Sequence, residues 1–165
     1  MESAVPNLSE LQIEILKQRR IASVATIRPD GTVHVTAVWF FFDGDAFFIA
    51  IPSSSTKARN LSANNQIALM VDLRVQGKEL GVSVSGSAEV LEGEVARRVV
   101  RQVHAKYLTE AALADQDVGP KFEAFDDIAV CLRPTRWICW DMNSMDQQAF
   151  GGKLATHSYL RPIEP

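Results

Sequence analysis

The sequence predicts a mainly β, α+β chain: a six- to seven-stranded split β-barrel with short flanking helices, acting as one half of a homodimer. Three observations predict it. Short runs of alternating or β-branched residues recur at close spacing along most of the chain. Turn signals separate them, Pro29-Asp30-Gly31 and Asp43-Gly44-Asp45 above all. A polar, helix-opening stretch, Ser53 to Leu61, then breaks into the strand series after its third member. A helix inserted into a meander is what a split barrel looks like.

In chain order, residues 7–20 read as a helix. Asn7 and Glu10 make a capping-box-like start, Leu8, Leu11 and Ile15 form the apolar stripe, and Lys17, Arg19 and Arg20 meet the negative end of the dipole. Ile21–Arg28 is a strand, and Thr32–Phe42 a second, long one. That second strand becomes apolar on both faces towards its C-terminal end, so it needs a surface on each side. Ala46–Ile51 follows, stopped by Pro52. A short helix from Thr56 ends at Asn64-Asn65, with Asn as a left-handed cap. Gln66–Leu73 and Leu80–Leu91 are strands, and Gly86 inside the latter marks a bulge or a close backbone approach. Ser83, Ser85 and Ser87 share the opposite face, a solvated or interface face. A helix spans Glu94–Tyr107 with Val95, Val99, Val103 and Tyr107 on its stripe, and shorter helices cover Thr109–Ala114 and Pro120–Phe125. Ile128–Leu132 and Trp137–Trp140 read as two strands split by Arg133-Pro134-Thr135-Arg136. No repeat or linker divides the chain, so residues 1–165 are one domain, with a core at about 8–142 and an extended C-terminal arm from 143 to 165.

Composition narrows the function. The formal net charge is −3, from 17 Lys and Arg against 20 Asp and Glu mixed along the chain. No basic stripe points to nucleic acid. No apolar run approaches the ~18 residues of a membrane span, and the N-terminus lacks the pattern of a signal peptide, so a cytoplasmic protein is expected. Cys131 and Cys139 sit among apolar residues without CxxC spacing, as buried free thiols rather than a metal pair or a disulfide. No metal site is expected.

The chemistry-bearing stretch is Ser53-Ser54-Ser55-Thr56-Lys57-Ala58-Arg59. Hydroxyls precede a lysine and an arginine where a helix begins. The first N–H groups of a helix lack internal partners and sit at its positive end, so a phosphate placed there meets amides, hydroxyls and cations. A serine-rich N-cap with solvent-facing cations is the plainer reading. His34, His104 and His157 are far apart in sequence, as structural histidines usually are. His34 lies on the second strand, and His157 can reach a site from the tail. Trp39, Trp137 and Trp140 are core or interface residues, Trp39 being the one suited to a ligand. Asp141 and Asn143 follow the last strand at a pocket mouth.

The leading helix, the strand pair ASVATIRPDGTVHVTAVWF, the hairpin DGD and the run SSSTKARNL resemble the pyridoxamine 5′-phosphate oxidase-like, flavin-binding split barrels over residues 8–92, less clearly through LRPTRWICWD. The resemblance implies a homodimer with FMN held at the subunit interface. It implies a phosphate loop at Ser55-Thr56-Lys57, with Ser55 and Lys57 as ligands and Thr56 where the family has arginine. Apart from the resemblance, Arg59 stands close enough in sequence to supply that charge instead. It also implies that the backbone of Thr36, Ala37, Val38 and Trp39 faces the isoalloxazine ring. The stretch His34–Trp39 lacks the cations of the true oxidases, and their C-terminal Arg/His pattern is not recognisable. The function implied is a flavin-dependent oxidoreductase passing hydride or electrons between a nicotinamide and a small acceptor, rather than a true pyridoxamine phosphate oxidase. The alternatives are a deazaflavin-dependent reductase on the same fold, a flavin- or haem-binding module without turnover, and a barrel that has lost its cofactor.

Overall fold

The computed structural model describes residues 6–157 and 159–162. The elements in order are α1 (Glu10–Lys17), β1 (Ala22–Ile27), β2 (Val33–Val38), β3 (Phe40–Phe42), β4 (Phe47–Pro52), α2 (Thr56–Ala63), β5 (Gln66–Leu73), β6 (Leu80–Leu91), α3 (Gly93–Tyr107), α4 (Glu110–Ala114), α5 (Gly119–Glu123), β7 (Asp127–Asp141), α6 (Met142–Phe150) and α7 (Lys153–Thr156). The described residues form one seven-stranded antiparallel sheet in the order β2-β1-β5-β6-β7-β4-β3. Its two outermost strands, β2 and β3, are consecutive in the chain. The sheet therefore curls until its ends meet at Trp39, and α2 bridges from β4 across to β5.

The curl encloses the main core. Val24, Phe40, Phe47, Leu69, Val82 and Val84 fill it, Ile15 and Leu16 of α1 close one part, and Leu61 of α2 another. Burial of this apolar surface is the dominant stabilising term. A smaller cluster lies on the outer side of β4 and β7, where Val99 and Val103 of α3 cover Ala129, with Trp39, Phe41 and Phe48 against them. The doubly apolar C-terminal end of the expected second strand thus finds its outer surface on α3 of the same chain.

Several boundaries differ from the sequence reading, each for a local reason. The expected strand Thr32–Phe42 is two strands, because the Phe40 N–H donates to Tyr107 Oη (3.2 Å) instead of continuing the ladder. The same hydroxyl donates to the Arg20 carbonyl (2.5 Å), tying α3 to the start of β1. The first helix starts later than Asn7 and ends at Lys17. Its capping box is Ser9 with Gln12, the serine accepting from Gln12 N (3.2 Å) and Gln12 Oε1 accepting from Ser9 N (3.0 Å). Asn64 ends α2 in an extended conformation, not a left-handed one. Ile128–Leu132 and Trp137–Trp140 are parts of one long strand, β7. Pro134 is tolerated within it because it stands opposite Gly86, where β6 shifts register. A Cβ on Gly86 would lie 2.6 Å from the Arg133 carbonyl, so this close approach needs glycine. The expected extended arm is instead α6 and α7. Asp141 caps α6 by accepting from Asn143 N and Ser144 N, rather than lining a pocket mouth, and the buried Asp146 carboxylate accepts from Leu154 N and Ala155 N at the start of α7. Residues 158 and 163–165 of that arm lie outside the described residues. Both thiols are free, but only Cys131 is buried; Cys139 is exposed. On α3, Val95 is exposed rather than buried.

The outer face of β2, β1, β5, β6 and the C-terminal half of β7 carries mostly small and apolar side chains. The register places Ala37, Ser23, Met70, Ser83 and Ile138 in one row across β2, β1, β5, β6 and β7, and Val35, Ala25, Ala68, Ser85 and Arg136 in the next. Val33, Val35 and Ile138 are each about 60% exposed (60%, 60% and 59%). No helix among the described residues is long and apolar enough to cross a membrane.

Candidate functional site

The end of β2, the end of β4 and the start of α2 converge on one cleft of about 510 Å³. Ala37, Val38 and Trp39 form one wall, Ala50 to Pro52 another, and Ser54 and Lys57 the rim. His104 of α3 and Phe122 of α5, with Asp127 beside them, close the far side.

The loop leading into α2 is held at both ends. Ser53 N donates to the Asp126 carbonyl (2.8 Å), and its hydroxyl donates to the Asp126 carboxylate. Ser55 N donates to the Pro52 carbonyl (2.9 Å), and Ser55 Oγ accepts from Ala58 N (3.2 Å) as the N-cap. Arg59 folds back over the loop, donating to the Ser54 carbonyl (2.8 Å) and to Thr56 Oγ1 (3.0 Å). It braces the loop from outside. The amides of Thr56 and Lys57 open α2 and have no intrahelical acceptor. Among the described residues Lys57 makes no ion pair. α2 itself is seated by Asn60, whose amide donates to Thr26 Oγ1 of β1 (2.9 Å) in the interior.

The electrostatics favour an anion at this rim. Loss of hydration, then the positive charges of Arg28 and Lys57, hold His34 below the usual histidine range. Three basic side chains therefore feel one another here. His34 Nδ1 and Thr36 Oγ1, both on the inward face of β2, are buried without a hydrogen-bond partner among the described residues. A loop of free amides with a lysine that is unpaired among the described residues is a donor set a phosphate-bearing cofactor would use.

Aromatic rings stack along the ring-side wall. Trp39 lies flat on Tyr107 (centroids 4.8 Å apart, planes 5° apart), and Phe122 is near-parallel to Trp39 at 6.3 Å. His104 meets Trp39 and Phe122 edge-on, at 6.3 and 5.1 Å, with Nε2 3.4 Å from Asp127 Oδ2.

Of the residues singled out from the sequence, Ala37, Val38, Trp39 and Lys57 line the cleft. Thr36, Ser55, Thr56 and Arg59 stand beside it, three of them engaged in shaping the loop. His34 lies behind the lysine rather than in the cleft lining, and His157 bonds to Thr156 in the tail. Sequence reasoning read His104 as a structural histidine and missed Phe122 and Asp127. The available signal for His104 was its place beside Val103 on the buried stripe of α3.

A family model described as pyridoxamine 5′-phosphate oxidase matches residues 8–137. No curated protein matches the chain significantly. Among solved structures, a conserved hypothetical protein of Mycobacterium tuberculosis is similar over 100% of this chain and 96% of its own, at 23% identity and a TM-score of 0.68. An F420 reductase is similar over 79% of this chain and 98% of its own, at 25% identity and a TM-score of 0.61. The haem storage protein of Vibrio cholerae is similar over 78% and 92%, at 18% identity and a TM-score of 0.62.

Proposed function

The chain belongs to the pyridoxamine 5′-phosphate oxidase family, and from that premise we propose that it is a homodimeric, cytoplasmic flavoprotein oxidoreductase that seats the phosphate of FMN on the loop before α2. The observation that carries this reading is the convergence of Lys57, unpaired among the described residues, and the backbone of Ala37–Trp39 on one cleft. Lys57 and the Thr56 and Lys57 amides hold the phosphate, with the Ser55 hydroxyl as a further donor. Arg59 keeps the loop in shape. Ala37, Val38 and Trp39 present their backbone to the isoalloxazine ring, and Trp39, stiffened by Tyr107, keeps water from its edge. The flavin supplies the hydride chemistry when bound, so the protein's tasks are to bind, orient and exclude water. The small-residue rows around Ala37 and Val35 suit a second copy packed flat against them, which would cover the open side of the cleft. Two free thiols fit a reducing compartment.

The F420 reductase similarity favours a second reading, a deazaflavin in the same seat, since that cofactor also presents a phosphate group. Titrating the purified protein with FMN and with F420, followed by absorbance, separates the two. Tight FMN binding supports the first reading, binding of F420 alone supports the second, and indifference to both refutes the cofactor seat.

A further inference from the structure

A second chamber adjoins the first. It measures about 530 Å³ and is bounded by α3, α4 and α5. The two share His104, Phe122, Phe125 and Asp127 and nothing else. We propose that this second chamber is the substrate site, and that it takes a small aromatic molecule, not an anion, whose hydroxyl group donates to His104. The assignment of a substrate rests on the cofactor reading above; the existence of the binding site does not.

Three observations select this ligand class. The volume lies within the range of small-molecule pockets. One part of its wall is apolar, from Ala96, Val100, Ala105 and Leu113 to the two phenylalanines, and two of these residues remain exposed: Phe125 is 55% exposed and Leu113 40%. An aromatic guest would cover them and pack against the edge-to-face pair of Phe122 and Phe125 (5.2 Å). Finally, among the described residues the chamber offers no free arginine. Arg97 and Arg101 are both held by Glu94 at 2.9 Å, and Glu123 and Asp127 add two carboxylates. An anionic guest would lose its hydration and face those carboxylates without a free partner.

His104 is the polar group placed to read such a guest. It is 8% exposed, and its ring belongs to the partition between the chambers. Asp127 Oδ2 lies 3.4 Å from Nε2, which favours the proton on that nitrogen and leaves Nδ1 as the acceptor for a guest's hydroxyl. A guest in the second chamber would then lie against the same residues that close the ring end of the first.

The test uses the full-length protein, isotope-labelled for NMR, titrated with 2-naphthol, naphthalene and 2-naphthoate. Expected are shifts centred on α3 and α5, with the naphthol binding at least about tenfold more tightly than the carboxylate. Leu113→Trp and Ala105→Trp, which fill the chamber from its outer wall, should each abolish naphthol binding without altering FMN affinity. His104→Phe should keep the packing yet erase the preference for the naphthol over naphthalene. Absence of naphthol binding, equal binding of 2-naphthoate, or binding that survives both tryptophan variants would overturn the proposal. FMN titration of the same samples reports separately on the cofactor seat.

Discussion

The seat of α2 offers the sharpest test of how the barrel positions its loop. Asn60 is 2% exposed and Thr26 1%, and the 2.9 Å bond between them joins α2 to β1 inside the molecule. Asn60→Ala leaves the Thr26 hydroxyl without that partner and removes amide packing, a loss of about 2 kcal/mol. Thr26→Val strands the Asn60 amide instead, at a cost of about 1–3 kcal/mol. The pair Thr26→Val with Asn60→Ala removes both polar groups together and should cost less than the sum of its single changes by about 1 kcal/mol. Urea unfolding of wild type, both single variants and the double variant measures the coupling, with each single change lowering the midpoint by roughly 1 M for a slope of ~1–3 kcal/mol/M. Because the bond sits one turn below Lys57, the single variants should also weaken FMN binding while leaving the sedimentation behaviour unchanged. Strict additivity of the unfolding energies would refute the claim that this bond docks the helix.

Two further outcomes follow from other parts of the molecule. Val35→Glu places a charge on the flat outer face of β2; it should raise the dimer dissociation constant by on the order of a hundredfold, about 3 kcal/mol, and sedimentation of a wild-type monomer would remove the basis for the assembly. Burial pushes the Lys106 ammonium down to about 8 from 10.5, although it lies 3.8 Å over the Phe40 ring and donates to the Leu16 carbonyl (3.1 Å), both of which favour the charge. Between those two pH values the unfolded chain holds more protons on this lysine than the folded one, so its contribution should make stability rise with pH across that window; Lys106→Met should flatten the rise, and an unchanged slope in the variant would contradict the assignment.

Much of this architecture was legible in the residues because local and tertiary signals agreed. The strands Gln66–Leu73 and Leu80–Leu91 have the expected bounds, and the Gly86 anomaly is a register shift against β7. The misread places are those where a distant group decides. Pro134 reads as a loop until Gly86 stands opposite it, and the break at Trp39 depends on Tyr107, which is remote in sequence. The tail has no periodicity because its helices are short and are separated by two glycines with positive φ, Gly151 and Gly152. At the site, the loop and its lysine are contiguous in sequence and so were visible. The partition of His104, Phe122 and Asp127 is assembled from three separate elements, and no local pattern announces it.

The central claim is that Lys57 holds a phosphate, and the most direct measurement compares FMN with riboflavin, which lacks that group, on wild type and Lys57→Ala. A charge-assisted contact is worth about 1.5–3 kcal/mol, so the variant should bind FMN roughly tenfold to a hundredfold more weakly. Its riboflavin affinity should stay within about twofold of wild type, since no charge-assisted contact is lost. Equal losses for both ligands, or none for FMN, would contradict the account and return Lys57 to the role of a solvent-facing residue at the start of a helix.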